Sequence, residues 1–382
     1  MTTTDLQQER RKLGPIQHIQ IEAPTLAQAH GKLGRQLGPV ICRVARRRLK
    51  ATPPAEFEQQ ITAVRDCRRR LDARAASQLT KPVLRQGVEE YLKSLDAWAA
   101  GSELKSVVSG QAVGGRPVTA EELALWLQDD NRGCQTCLVR LAGGDVLFCH
   151  TEEDTIGDFD LPRLAELQAG GQAWHAFLYP TLLPGPAFGW HSGYFHAVDS
   201  LHLRRPEHGA PTAVAAWLAW RFGSAAYGDL VRLCPFIDGC AINRVERTAE
   251  GVSASVQELG WLDTSVRELS SVRGKMLFQA NCVERLPSRL SRREALSAAD
   301  RGRYCARGER AREAIAELAK QGEVSPQRIV DLLASKTGGA YANANADVKA
   351  HCVGVASAER IELYVQSGPA LAGDVYQPQF HA

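Results

Sequence analysis

The amino-acid sequence predicts a layered α+β fold, in which blocks of helix and blocks of strand follow one another. Three observations carry this. Before residue 130 the apolar residues recur at helical spacing. From Cys134 onward, short β-prone runs separated by glycine-containing turns dominate. Two helical stretches, Pro211 to Phe222 and Arg292 to Gln321, interrupt those runs as blocks, which argues against a doubly wound βαβ alternation.

Each element has a local reason. Residues 1–14 are polar and charged and read as a frayed tail without the apolar stretch of a secretory signal. Gln17 to Ala23 alternates like a strand. Thr25 caps a helix to Leu49, whose apolar face runs through Ala29, Leu33, Leu37, Val40, Ile41, Val44 and Ala45. Pro53 and Pro54 break it, and helices over Ala55–Leu71 and Ala76–Ala99 follow, the last stopped at Gly101. Thr119 with Glu122 forms a capping box for a short helix to Leu127. Strands are expected over 136–141, 145–150, 173–179, 186–190, 193–199, 240–246, 251–258, 274–280, 349–355 and 360–366, and a further helix over Ser325–Ser335. Trp217 and Trp220, at helical spacing, read as core packing.

Composition narrows the class. With 44% hydrophobic and 23% charged residues over 382, the chain can bury a large core. A net charge of +3 is too small to imply nucleic acid, and the arginines near residues 43–50 and 68–70 read as solvated helix faces. No run approaches the length of a membrane span. The ten cysteines are scattered and, without a secretion signal, read as reduced thiols of a cytoplasmic protein.

The stretch from Asn131 to Asp154 holds the chemistry. Gly133-Cys134 joins a polar turn to an apolar run, which folds back through Ala142-Gly143-Gly144-Asp145 as a hairpin. A thiol opening a buried strand after glycine has the placement of an N-terminal nucleophile. If the Gly133–Cys134 bond is cut, the freed α-amine, with a pKa of about 8, can serve as base for its own thiol. The spacing Cys134-x-x-Cys137 with Cys149 and His150 also admits zinc, but residue 137 faces away from residue 134 on a strand, so no metal is assigned. His191, His196 and His202 read as packing or pocket lining, because 191 and 196 have opposite parity on a single strand.

Over most of its length the chain resembles the acyl-coenzyme A:6-aminopenicillanic acid acyltransferase family, the self-processing cysteine members of the N-terminal nucleophile hydrolases. The resemblance runs through His30-Gly31, Leu95 to Ser102, Gly133-Cys134-Gln135-Thr136, Cys149 to Asp154, Phe188 to Leu201, Gly209-Ala210-Pro211, Gln279-Ala280-Asn281 and the terminal strand ending at Ser367-Gly368-Pro369. It implies a four-layer αββα sandwich, cut into a helical α-chain (1–133) and a catalytic β-chain (134–382) of one integrated domain. It implies Cys134 as nucleophile, Glu153 as the carboxylate supporting it, and Asn281 as a donor to the developing oxyanion. His150, Thr151, His191, Asn343 and Asn345 are candidates for the pocket.

The chain departs from the family pattern. Thr151 stands for an asparagine, Glu153 for an aspartate, Asp154 for a tryptophan and Cys282 for a histidine. No arginine falls near Tyr341–Ala346. The chemistry class is therefore carried over and the substrate is not. The expected function is acyl transfer to, or hydrolysis of, an amide or thioester of a small amine-like metabolite, in secondary metabolism. No cofactor is required beyond a coenzyme A thioester as one acyl donor. The expected partner is a small molecule, with no nucleic acid or membrane and with a homo-oligomer left open. Two rivals stand beside it: an uncleaved condensation enzyme on the same fold, and a non-catalytic binding relative.

Overall fold

A computed structural model describes residues 16–77, 82–128, 133–153, 163–201, 203, 209–223, 236, 239–261, 263–286, 307–321, 328, 348–367 and 375–376. The expected tail and the Ser325–Ser335 helix lie almost wholly outside them, as does the first half of the Arg292–Gln321 helix.

The chain opens with β1 (Gln17–Ala23) and α1 (Leu26–Ala51), whose cap is Thr25, its hydroxyl accepting from Gln28 N at 3.3 Å. Then come α2 (Pro54–Ser77), α3 (Pro82–Gly101), the short ribbon β2–β3 (Ala112–Val113, Arg116–Pro117) and α4 (Ala120–Leu127). The capping box forms as read. Glu122 N donates to Thr119 Oγ1 at 3.2 Å, and Glu122 Oε2 accepts from Thr119 N at 3.1 Å. Arg65 on α2 reaches the same carboxylate at 2.8 Å, which ties α2 to α4.

The glycines of α1 explain how closely α1 and α3 approach. A Cβ on Gly101 would run into the backbone carbonyl of Gly31, and one on Gly34 would meet the carbonyl of Trp98. The segments around His30-Gly31 and Leu95–Ser102 are thus two sides of one helix crossing. Gly101→Ala should cost about 1–3 kcal/mol by overpacking; a urea midpoint equal to that of the parent would contradict it.

After α4 the strands begin: β4 (Gly133–Arg140), β5 (Val146–Glu153), β6 (Arg163–Ala169), β7 (Gln172–Leu178), β8 (Phe188–His191) and β9 (Tyr194–Leu201). Helix α5 (Ala213–Phe222) follows, then β10 (Gly239–Thr248), β11 (Gly251–Gly260), β12 (Asp263–Glu268), β13 (Met276–Gln279), α6 (Arg307–Lys320), β14 (Val348–Ala356), β15 (Ile361–Ser367) and β16 (Val375–Tyr376). Three of these, β6, β12 and the two-residue β16, were not anticipated. The sequence of β6, Arg-Leu-Ala-Glu-Leu-Gln-Ala, is poor in β-branched residues. It is a strand because it is held between β1 and β7, so context overrides propensity.

These strands form two stacked sheets. One has eight strands in the order β1-β6-β7-β8-β9-β10-β11-β12, and the other six, β13-β4-β5-β14-β15-β16. The parallel pair β1–β6 places a strand from before Gly133 in the same sheet as strands from after it. Three apolar clusters define the layering. One joins α1, α3, α4 and α5 to the outer face of the eight-stranded sheet and contains Trp217 and Trp220, both fully buried. The second lies between the sheets, where Phe148 stacks on Phe195 at 4.2 Å. The third packs Ile315 of α6 on the outer face of the six-stranded sheet. The protein is therefore α+β with helices outside stacked sheets, in line with the layered fold expected.

The cysteines largely behave as small buried hydrophobes, and Cys42, Cys67, Cys134, Cys137, Cys149, Cys240 and Cys352 are thiols outside any disulfide. Cys282 is not: it is disulfide-bonded. This corrects the reading of every cysteine as a reduced thiol, since scattered spacing does not reveal which pairs the fold brings together.

Candidate active site

Alternation along β4 and β5 builds the site. On β4, Leu138 belongs to the cluster between the sheets, whereas Cys137 and Val139 face α6; on β5, Val146 and Phe148 face inward and Leu147 and Cys149 outward. Extending the two-residue period puts Cys134, Thr136, His150 and Glu152 on the inter-sheet face. The hairpin register sets Cys134 opposite Glu152 and Thr136 opposite His150. All four are buried.

The side chains form a continuous chain of contacts. Cys134 Sγ lies 3.7 Å from Glu152 Oε2. Glu152 Oε1 is 2.7 Å from His150 Nε2, and His150 Nδ1 is 2.8 Å from Thr136 Oγ1. Tyr179, just past β7, donates its hydroxyl to Glu152 Oε2. Asp199 on β9 places Oδ1 3.8 Å from His150 Nδ1, also hydrogen-bonds Thr136, and accepts from Asn243 Nδ2 at 2.7 Å. The site is thus closed from above by the opposite sheet.

Its electrostatics follow from burial and charge. Burial opposes the charged imidazole of His150, but the adjacent Glu152 carboxylate outweighs it, with Asp199 adding in the same sense, so His150 is held above its ordinary pKa. Burial pushes Asp199 up to about 7, against the pull of His150.

Asn281 sits just beyond β13, whose Gln279 pairs with Thr136. Its Oδ1 accepts from the backbone N–H of Cys134 at 3.4 Å, and its Nδ2 donates to the carbonyl of Ser200 at 2.8 Å. Those partners fix the amide orientation, because a carbonyl needs a donor and an N–H an acceptor. Asn281 therefore reaches Cys134 as expected, but it presents its oxygen to the cysteine nitrogen instead of an N–H to an oxyanion.

Other candidates are placed differently. His150 is in the site. Thr151, one residue on, falls in the outward row with Gln135 and His351, its register partners, so it does not line the same pocket. Glu153 pairs by backbone with Gly133, but its side chain is outside the described residues, as are Asn343 and Asn345. The carboxylate at the thiol is Glu152. His191 lies at the far end of β8, stacked on Tyr194 at 4.9 Å, and Tyr194 stacks in turn on His196 at 5.9 Å. A two-residue turn separates β8 from β9, so the parity argument fails and His191 shares a face with His196, away from Cys134. His202 is outside the described residues.

Glu152, Tyr179, Thr136, Asp199 and Asn243 were missed. Glu152 had a signal: counting back from the hairpin turn places it across from Cys134. Tyr179, Asp199 and Asn243 had none, since each comes from the other sheet.

Fold and site together define an α+β protein of stacked sheets with a buried thiol–carboxylate–imidazole cluster between them. The chain matches no known protein-family description, and no curated protein matches it. Among the described residues no helix is long and apolar enough to cross a membrane.

Proposed function

We propose that this chain is a cysteine-nucleophile enzyme of acyl transfer or amide hydrolysis, of the N-terminal nucleophile class it resembles. The observation that carries this reading is a buried Cys134 thiol 3.7 Å from a carboxylate whose other oxygen is held by His150. Cys134 Sγ attacks the acyl carbon and Glu152 accepts the thiol proton. The carbon–nitrogen bond of the amide breaks, the leaving amine takes that proton, and a thioester remains on Sγ. Water or an acceptor amine then releases the acyl group and restores the thiol.

The same steps serve self-cleavage. Sγ attacks the Gly133 carbonyl carbon, the Gly133–Cys134 bond breaks and water hydrolyses the thioester. Asn281 Oδ1 already accepts from the Cys134 nitrogen, so it would hold the freed α-amine in place. Asn281 is then a positioning residue for that amine, while Glu152 remains the acceptor of the thiol proton. Glu152 reaches Sγ with the chain intact, which also suits the uncleaved condensation enzyme. A small amine-derived metabolite is the proposed substrate, with a coenzyme A thioester as one donor.

Intact-mass analysis tests this. Fragments meeting at Gly133/Cys134 support the processed enzyme; a whole chain that takes up a hydroxylamine-sensitive acetyl group from p-nitrophenyl acetate at Cys134 supports the uncleaved one. Cys134→Ala should abolish both. Processing and acetylation unchanged in that variant would refute the nucleophile.

A further inference from the structure

The side chains around Cys134 also have the composition and spacing of a metal-binding set. One ligand atom from each of Cys134, His150 and Glu152 lies within 4.8 Å of the others, and all three residues are buried. Thiolate, imidazole and carboxylate are the ligands of zinc, and three protein ligands with one position open is the usual arrangement of an accessible zinc site.

What surrounds these atoms matches the support that metal ligands need. A ligating histidine is ordinarily oriented by a partner on its second ring nitrogen; His150 has Thr136 Oγ1 at 2.8 Å on Nδ1, with Asp199 behind it. A ligating carboxylate is itself hydrogen-bonded, and Glu152 Oε2 accepts from Tyr179. Nδ1 is thereby turned away, and Nε2 is directed to the side where Glu152 lies and Sγ approaches. Binding exchanges the 2.7 Å Nε2–Oε1 contact for a shared cation.

We propose that Cys134, His150 and Glu152 form a binding site for zinc or a similarly soft divalent cation, which withholds the nucleophile while bound. The metal displaces two protons to solvent, that of the thiol as the Sγ–metal bond forms and that on His150 Nε2 as the nitrogen–metal bond forms, and nothing is oxidised or reduced. The inhibitory consequence rests on the acyl-transfer reading; the metal site does not.

The unmodified, metal-stripped protein is titrated with zinc by calorimetry, and with cobalt(II) by absorption. The expected results are one high-affinity metal per chain and a thiolate-to-cobalt charge-transfer band. Cys134→Ser should remove both, and Tyr179→Phe should weaken zinc binding by roughly 10–100-fold through loss of support for Glu152. Absence of stoichiometric zinc binding, or a charge-transfer band that persists in Cys134→Ser, would overturn the proposal. The same protein is assayed for acetylation of Cys134 with and without zinc. Loss of acetylation with zinc, regained with a chelator, is expected, and acetylation unaffected by bound zinc would overturn the withholding. Protein that binds zinc through Cys134 but is never acylated when metal-free would sink the acyl-transfer reading and leave the metal site standing.

Discussion

Glu152→Gln is expected to slow acylation of Cys134 by about 100-fold to 10,000-fold, the usual range for removing a proton-transfer group. Glutamine keeps the size and can still hydrogen-bond Tyr179, so the site is not emptied. It cannot accept the thiol proton, and it removes the charge that holds His150 above its ordinary pKa. Burial then dominates at His150, and its titration should move downward. The rate of acetylation by p-nitrophenyl acetate and the proton NMR titration of His150 check the two parts. A rate within a few-fold of the parent would assign the proton to another group. A slow rate with an unmoved His150 would mean that the carboxylate acts without the imidazole. Glu153→Gln is the control, since Glu153 stood in the expected position; it should leave the rate near that of the parent.

Acidification from pH 7.5 to pH 5 should cost the folded protein several kcal/mol. Burial depresses His30 and His351 to about 3 and His196 to about 4, and it depresses the less enclosed His175 and His191 to about 4. A depressed histidine stays neutral in the folded state while the unfolded chain takes up a proton below about 6.5. Its stabilising contribution is therefore complete above that pH and is lost as pH falls toward the folded value. At pH 5 this is about 2 kcal/mol for each fully buried ring, or roughly 6 kcal/mol for His30, His196 and His351 together.

Two groups oppose the loss. Asp199, raised to about 7, contributes stability that is present in acid and lost as pH rises through 7; it returns about 3 kcal/mol on going to pH 5. His150, also raised, acts in the same sense. The depressed histidines outnumber these, so the net change is a loss. Urea unfolding at the two pH values measures it, and His351→Gln should flatten the dependence. A midpoint unchanged or higher at pH 5 would contradict the burial of these rings as neutral groups.

Much of the fold was readable from local pattern. The strand at Gln17–Ala23, the Thr25 cap and the Thr119–Glu122 box all stand where the residues placed them, whereas Gly101 is the last helical residue and the left-handed turn after it falls on Glu103. Each depends on a rule that acts within a turn or two of chain. The strands β6 and β12 failed that test because β6 lacks β-branched residues and β12 is largely polar, and only pairing with neighbours makes them extended.

The site was half legible for a related reason. Cys134 and His150 were found, and Glu152 was one residue away from the carboxylate chosen. On a strand one residue is the difference between two faces of a sheet. The register that the Ala142–Asp145 turn imposes sets Glu152, the neighbour of the carboxylate chosen by likeness of motif, opposite Cys134.

By itself the sequence determined which residues share a face: the period of a strand and a tight turn fix Cys134, Thr136, His150 and Glu152 on one surface before any tertiary contact forms. Only the stacking of the two sheets decided that Tyr179 and Asp199 would meet that surface, that Asn281 would turn its oxygen to the Cys134 nitrogen, and that His191 would lie elsewhere. Those approaches join segments far apart in sequence, and no short-range preference specifies how two sheets set their strands against each other.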